Sequence, residues 1–167
     1  MPRADDRVDD RPAVLASCRD EEIRRWRHRP PADPAEADAY IRRRVLDWAR
    51  DERLTWAVCE PTTGAMLGEV SLDLVDLTVG TAEAACWALP QARGAGMTTT
   101  ALGAVTRFAF GGLGLHRITY QWAEGNIASG RVAQKCGFRS EGRLRDAWAV
   151  DGRRHDVLVT GLLATDR

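Results

Sequence analysis

The stretch ALPQARGAGMTTTAL, residues 88–102, places Pro90, Gly94 and Gly96 within seven residues, with Arg93 among them and a threonine-rich run of helical potential directly after. Glycines let a ligand approach the backbone, and a helix N-terminus offers unpaired amides and partial positive charge. The run Arg93, Gly94, Ala95, Gly96, Met97 and Thr98 can therefore cradle a phosphate or pyrophosphate. A glycine-eased turn accounts for the same residues about as well. A Walker loop needs Lys and then Ser or Thr after its glycines, where Met97 and Thr98 stand, so nucleotide hydrolysis is disfavoured. The spacing also departs from the dinucleotide-binding fingerprint.

A second constellation lies thirty residues on, in GNIASGRVAQKCGF. Asn126 and Ser129 are three apart, so both can share the first turn of a short helix, with Asn126 as its cap and Gly137 past its end. On spacing alone these are an ordinary cap and first-turn residue. The histidines, His28, His116 and His155, fall outside both constellations and read as structural or surface residues.

The elements around these residues follow from periodicity. Residues 9–27 carry Val14, Leu15, Cys18, Ile23 and Trp26 at helical spacing, which predicts one helix. In ADPAEADAYIRRRVLDWARDE, Asp33, Pro34 and Glu36 form a helix start, and Ala37, Ile41, Val45 and Trp48 share a face. The pattern then shifts to strands in TWAVCE, AMLGEVSLDLV and TAEAACWAL, an antiparallel meander. Ala101, Leu102, Val105, Phe108 and Ala109 make a helical stripe, RITYQWA alternates as a strand, and the chain closes with a hairpin around Asp151 and Gly152. The expected class is α/β, a mixed, largely antiparallel sheet flanked by about four helices.

At 167 residues the chain is most simply one domain, residues 1–167, with residues 1–8 a disordered tail. The 24 basic and 24 acidic residues cancel, so no overall field draws the protein to nucleic acid or to a membrane surface. No apolar run approaches the ~20 residues that span a bilayer. The four cysteines, Cys18, Cys59, Cys86 and Cys136, lack metal-ligand spacing and read as reduced thiols. These features point to a cytoplasmic protein with a small ligand and no metal.

WALPQARGAGMTTTAL followed by NIASGRVAQKCGFRSEGRLR closely resembles the GNAT superfamily of acyl-CoA-dependent N-acetyltransferases, in its RimJ/RimL-type branch. Gln91, Gly94 and Gly96 meet the family's loop pattern, and Asn126, Ser129, Lys135, Gly137, Phe138, Glu141 and Gly142 meet its second block. The resemblance runs from about Asp10 to the C-terminus. It implies a GNAT fold with a splay between the two central strands, acetyl-CoA as co-substrate bound through its pyrophosphate by the loop amides, and a primary amine as acceptor.

Acyl transfer to an amine needs a neutral amine, a stabilised oxyanion and a proton for the leaving thiolate. The resemblance implies that backbone groups around Trp87, Ala88 and Leu89 hold pantetheine and polarise the thioester. It implies that Asn126 bonds the coenzyme, that Ser129 donates to the thiolate, and that Glu83 accepts the amine proton through water. Arg93 and Arg131 become candidate phosphate partners, with Lys135 behind them. Glu69 is the reserve base, although it reads first as an exposed alternating residue, and Glu141 reads as serving strand structure.

Family members open with an edge strand, and MPRADDRVDDRP has no β-like alternation. The expectation is either a missing first strand, with an exposed edge that a second copy of the chain could cover as a homodimer, or a start codon assigned inside a longer gene. Two rival readings of the same residues are a non-catalytic acyl-CoA-binding module and an acyltransferase using a larger donor such as succinyl-CoA.

Overall fold

The computed structural model describes residues 10–27, 31–150 and 152–166. The expected tail 1–8, His28 and Asp151 lie outside the described residues.

Helices α1 (Arg11–Arg19), α2 (Glu21–Trp26) and α3 (Pro34–Ala49) precede a sheet of β1 (Arg53–Cys59), β2 (Met66–Asp76), β3 (Thr81–Ala88), β4 (Arg117–Ala123), β5 (Arg139–Val150) and β6 (Arg153–Leu163). Helix α4 (Met97–Gly111) joins β3 to β4, and α5 (Ile127–Lys135) joins β4 to β5. Strand order is β1-β2-β3-β4-β6-β5. The first three strands are the expected meander, and only the β3–β4 pair is parallel.

The expected first helix is two. At Asp20 the backbone turns extended (ψ 121°), and its carboxylate accepts from the Ile23 amide, so the residue that ends α1 caps α2. The apolar spacing continues across this break, which is why periodicity alone joins the two helices. The start of α3 follows its chemistry: Asp33 accepts from the Glu36 amide, and Glu36 reaches back to the Ala32 amide at 2.7 Å.

The sheet has two unlike faces because side chains alternate along each strand. On one, Val70 and Leu72 of β2, Ala82 and Ala84 of β3 and Ile118 and Tyr120 of β4 pack with Leu102, Val105 and Ala109 of α4 into the main core. On the other, Arg53, Asp73, Glu83 and Thr119 stand in register across β1 to β4, a polar row under the α1–α3 side.

Parallel pairing of β3 with β4 lasts from Thr81–Arg117 to Ala84–Tyr120, although β3 runs on to Ala88 and β4 to Ala123. Beyond that point each strand stays bonded to its outer neighbour. Gly68 of β2 pairs with Ala88, the Leu89 amide donates to the Leu67 carbonyl, and Ala123 pairs with Val157 of β6. The strands therefore diverge, and the β3 edge from Ala85 to Ala88 has no β4 partner.

Glu141, expected to serve strand structure, pairs with Arg117 across β6, above Gly161, where a Cβ would meet the Glu141 carboxylate.

Gly68 approaches β3 so closely that a Cβ there would lie 2.6 Å from the Trp87 carbonyl oxygen. Gly68→Val should lower the urea midpoint at unchanged m-value by the equivalent of about 1–3 kcal/mol, the usual cost of overpacking.

Candidate active site

The loop after β3 is a single 3-10 turn, Pro90–Ala92, followed by Arg93 to Gly96. Gly94 and Gly96 adopt φ of 78° and 77°, a conformation side chains resist, and a Cβ on either would meet nothing within 4 Å. Gly96 caps α4 with no side-chain bond, so the α4 amides open onto an exposed, ungated loop. Arg93 is not aimed into this loop. It pairs with Asp20 at 2.5 Å and Glu22 at 3.2 Å, tying the loop to the start of α2.

Ser129 and Asn126 come to the divergence from the other side. The Asn126 carboxamide oxygen accepts from the Ser129 amide at 3.1 Å, which fixes the first turn of α5. The Ser129 hydroxyl lies 2.8 Å from the Tyr120 hydroxyl, which lies 3.1 Å from the Cys86 sulfur. Cys86 and Tyr120 sit at the point where β3 and β4 part, so this chain bridges β3, β4 and α5. Gly130 makes the approach of α5 feasible, since a Cβ there would lie 3.0 Å from the Trp122 indole nitrogen. Cys136, at the other end of α5, reaches the Thr99 carbonyl in the first turn of α4. Arg131 and Lys135 are exposed on α5.

Burial pushes the Cys86 thiol up to about 11, with its hydrogen-bond contact to Tyr120 acting in the opposite sense. Burial likewise raises the Tyr120 phenol well above its ordinary value, and the nearby Cys86 adds to the effect. Both groups hold their protons throughout the neutral range.

Glu83 stands on the opposite face of β3, in the last paired stretch before the divergence. It is half-buried and accepts from the Gln121 side chain at 3.2 Å. Burial raises its carboxyl pKa, the negative charge of Asp73 raises it further, and the Gln121 hydrogen bond partly opposes them. Asp73 is itself paired with Arg53 at 2.9 Å.

Glu69 overturns its expectation as an exposed strand residue, being only 4% exposed. The Tyr40 hydroxyl donates to its carboxylate at 2.7 and 2.9 Å, and Arg53 lies 3.6 Å away. The reason is tertiary: α3 lies over this part of β2 and supplies a half-buried phenol that alternation along β2 cannot reveal. Burial, and then the Glu69 charge, raise the Tyr40 pKa.

The α1–α2 segment walls the same face. Arg27 lies 4.7 Å from the Tyr40 ring centroid and 5.3 Å from that of Trp87, and donates to Ser17 at 2.9 Å. Trp26 meets His155 of β6 edge to face at 5.5 Å, which gives that histidine a packing partner. Between α2 and the β4–α5 turn lies a cleft of about 440 Å³ lined by Asp20, Glu21, Glu22, Arg25, Trp26 and Gly125.

Ser129, Tyr120 and Cys86 thus meet where β3 and β4 part, the loop continues from the unpaired β3 edge, and Glu83 lies on the far side of the sheet from Ser129. Tyr120, Cys86, Gln121 and Asp73 join the site without a sequence signal of their own. Alternation in RITYQWA marks Tyr120 as inward-facing and stops there. No group of three or more His, Cys, Asp or Glu residues that could hold a metal ion occurs among the described residues.

Residues 6–139 match the family model described as an acetyltransferase (GNAT) domain. A Bacillus subtilis (strain 168) protein named as the ribosomal N-acetyltransferase YdaF is 31% identical over 133 residues, 78% of this chain and 73% of the relative. The structure of a ribosomal-protein-S5-alanine acetyltransferase from Vibrio fischeri superposes with a TM-score of 0.86 at 16% identity, covering 99% of this chain and 92% of that one. Mycobacterium smegmatis RimJ, solved in complex with CoA-disulfide, gives 0.84 at 20% identity over 99% and 80% of the two chains. At these identities the two superpositions speak to the fold.

The Asp20–Arg93 contact has a pH signature. Burial raises the Asp20 pKa, but the Arg93 hydrogen bond and the Ile23 amide outweigh it and bring it below 3.8. Its stabilisation is therefore full above that value and is lost as pH falls through the lower folded-state value. Asp20→Asn keeps a capping side chain and removes the charge. Urea unfolding should find it less stable by up to about 1 kcal/mol at neutral pH, the difference closing in acid.

Proposed function

Because the chain belongs to the acetyltransferase (GNAT) family, in its RimJ/RimL-type branch, we propose that it transfers an acetyl group from acetyl-CoA to a primary amine by direct attack with both substrates bound. One observation carries this reading. The β3–β4 pair opens after Ala84 and Tyr120 with a hydroxyl, Ser129, on one face and a pKa-raised carboxyl, Glu83, on the other.

The residues present fit the donor. Open space at Gly94 and Gly96 leaves room for a pyrophosphate against the backbone, and the uncapped α4 N-terminus offers its amides from Ala95 to Thr98. In this reading Gln91 and Arg131, both exposed, flank it, and Arg93 serves it by exchanging Asp20 and Glu22 for a phosphate. Acetyl-CoA supplies the activated acyl group as a thioester. The unpaired β3 edge at Trp87 and Ala88, continuing to Leu89, holds the pantetheine arm by backbone hydrogen bonds and polarises the acyl carbonyl. A single well-placed donor of that kind is worth about 3–4 kcal/mol.

Asn126 spends its carboxamide oxygen on the Ser129 amide, which leaves its NH2 group to donate to the coenzyme. Ser129 donates to the sulfur as the C–S bond breaks. Glu83 takes up, through water, the proton that the acceptor nitrogen sheds. An α-amine, with a pKa of about 7.7–8.0, is partly neutral at physiological pH and needs only such a modest base, whereas a lysine at about 10.4 needs more. The acceptor class is accordingly a protein N-terminal α-amine or a small-molecule amine.

Calorimetry with acetyl-CoA, followed by a thiol-release assay over N-terminal peptides and small amines, tests the reading. Binding with turnover on at least one amine is expected. Binding without turnover on any amine would favour a non-catalytic module, and no binding would overturn the proposal. Gly94→Trp should abolish acetyl-CoA binding while the protein remains folded by circular dichroism.

Glu83→Gln should lower kcat by roughly 10²-fold, the low end for a positioned base, with donor affinity unchanged. In this reading Glu83 contributes to the acid limb of kcat at saturating substrates, its part appearing as pH rises through its raised pKa. Asp73→Asn removes a negative neighbour, so it should move that limb to lower pH.

A further inference from the structure

We propose that Tyr120 is a positioning residue that fixes the Ser129 hydroxyl as a one-way donor into the opening between β3 and β4. The inference rests on the acetyltransferase reading above and adds a residue to it.

The direction of the Cys86–Tyr120–Ser129 chain follows from the chemistry of its members. Tyr120 has one proton and two neighbours, the Cys86 sulfur at 3.1 Å and the Ser129 oxygen at 2.8 Å. A thiol sulfur is a weak acceptor and an alcohol oxygen a good one, so the phenol proton goes to Ser129. Cys86 completes the chain by donating its S–H to the phenol oxygen. Ser129 is then an acceptor toward Tyr120, and its own hydrogen must point elsewhere. Its amide is already held by Asn126, so the hydroxyl pivots on a fixed backbone.

Burial supports the same polarity, because both the Cys86 thiol and the Tyr120 phenol are held protonated. With Tyr120 so reluctant to ionise, the chain carries no proton along its length. As the C–N bond forms and the C–S bond breaks, the C–S electron pair goes to sulfur and the Ser129 hydrogen meets it. The acceptor nitrogen's proton leaves through Glu83 and solvent. Tyr120 is 2% exposed and touches neither substrate in this account; it acts through Ser129.

A thiolate titration of bound CoA reads this without turnover. Ultraviolet thiolate absorbance, taken as the difference between CoA-loaded and free protein, should show bound CoA ionising at lower pH than free CoA. In Tyr120→Phe that midpoint should rise by about one pH unit, a tenfold loss of thiolate stabilisation, with CoA affinity at neutral pH within twofold of wild type. In the acetyl-transfer assay, kcat should fall about tenfold at an unchanged acetyl-CoA KM. The Tyr120→Phe/Ser129→Ala double variant should be no slower than Ser129→Ala alone.

Cys86→Ser provides a second route if the phenylalanine variant folds poorly. Its hydroxyl accepts well, lets Tyr120 turn toward residue 86, and should raise the thiolate midpoint in the same direction. An unmoved midpoint in folded Tyr120→Phe, or losses that multiply in the double variant, would overturn the positioning role while leaving the acetyltransferase reading intact. Wild-type protein that binds no CoA would overturn that reading itself.

Discussion

The parallel contact between β3 and β4 holds for four residue pairs and then gives way, and the placement of every candidate functional side chain depends on where it stops. The outer neighbours enforce the parting. β2 keeps the end of β3 through Gly68–Ala88 and the Leu89–Leu67 hydrogen bond, while β6 keeps the end of β4 through Ala123–Val157. Backbone donors and acceptors left over on the inner edges must find other partners, and a ligand with its own amides, such as a pantetheine arm, is well matched to an exposed strand edge.

Because strands alternate, the same opening has two chemistries. Residues of even number near the gap, Cys86 and Tyr120, face α4 and α5 among apolar side chains, where burial keeps their protons in place. Residues of odd number, Glu83 and Gln121, face the polar row headed by Arg53 and Asp73, where a carboxyl can titrate. An acyl donor entering from one side and an amine from the other would find a hydrogen-bond donor and a proton acceptor on the sides where each is needed. Separation by the sheet also stops Glu83 and Ser129 from neutralising one another.

Helix α2 links these halves. It is short, and its start is bound to the loop by Arg93, while its end packs Trp26 on His155. A phosphate that drew Arg93 away from Asp20 and Glu22 would change what holds α2, so under the proposed function the two sides would be linked by one charged contact. The neighbouring Glu69–Tyr40 pair, in contrast, sets a buried carboxylate against a half-buried phenol, and Arg53 partly balances it.

Much of this was legible in the chain itself. Period-2 and period-3.6 patterns determined the meander, the α4 stripe and the order of elements, because burial of one face imposes those periods directly on the residue types. The glycines at 94 and 96 and the Asn126–Ser129 spacing determined where a positive-φ loop and a capped turn would form, since positive φ and capping are local demands. Tertiary structure alone decided that Asp20 splits the first helix, that Glu69 is buried, that Arg93 is already paired, and that Tyr120 joins Cys86 to Ser129. Each of these depends on a partner between 29 and 73 residues away, or on a carboxylate choosing between two local roles. Residue type and spacing encode which face a side chain takes; which distant group it meets there is settled only when the layers pack.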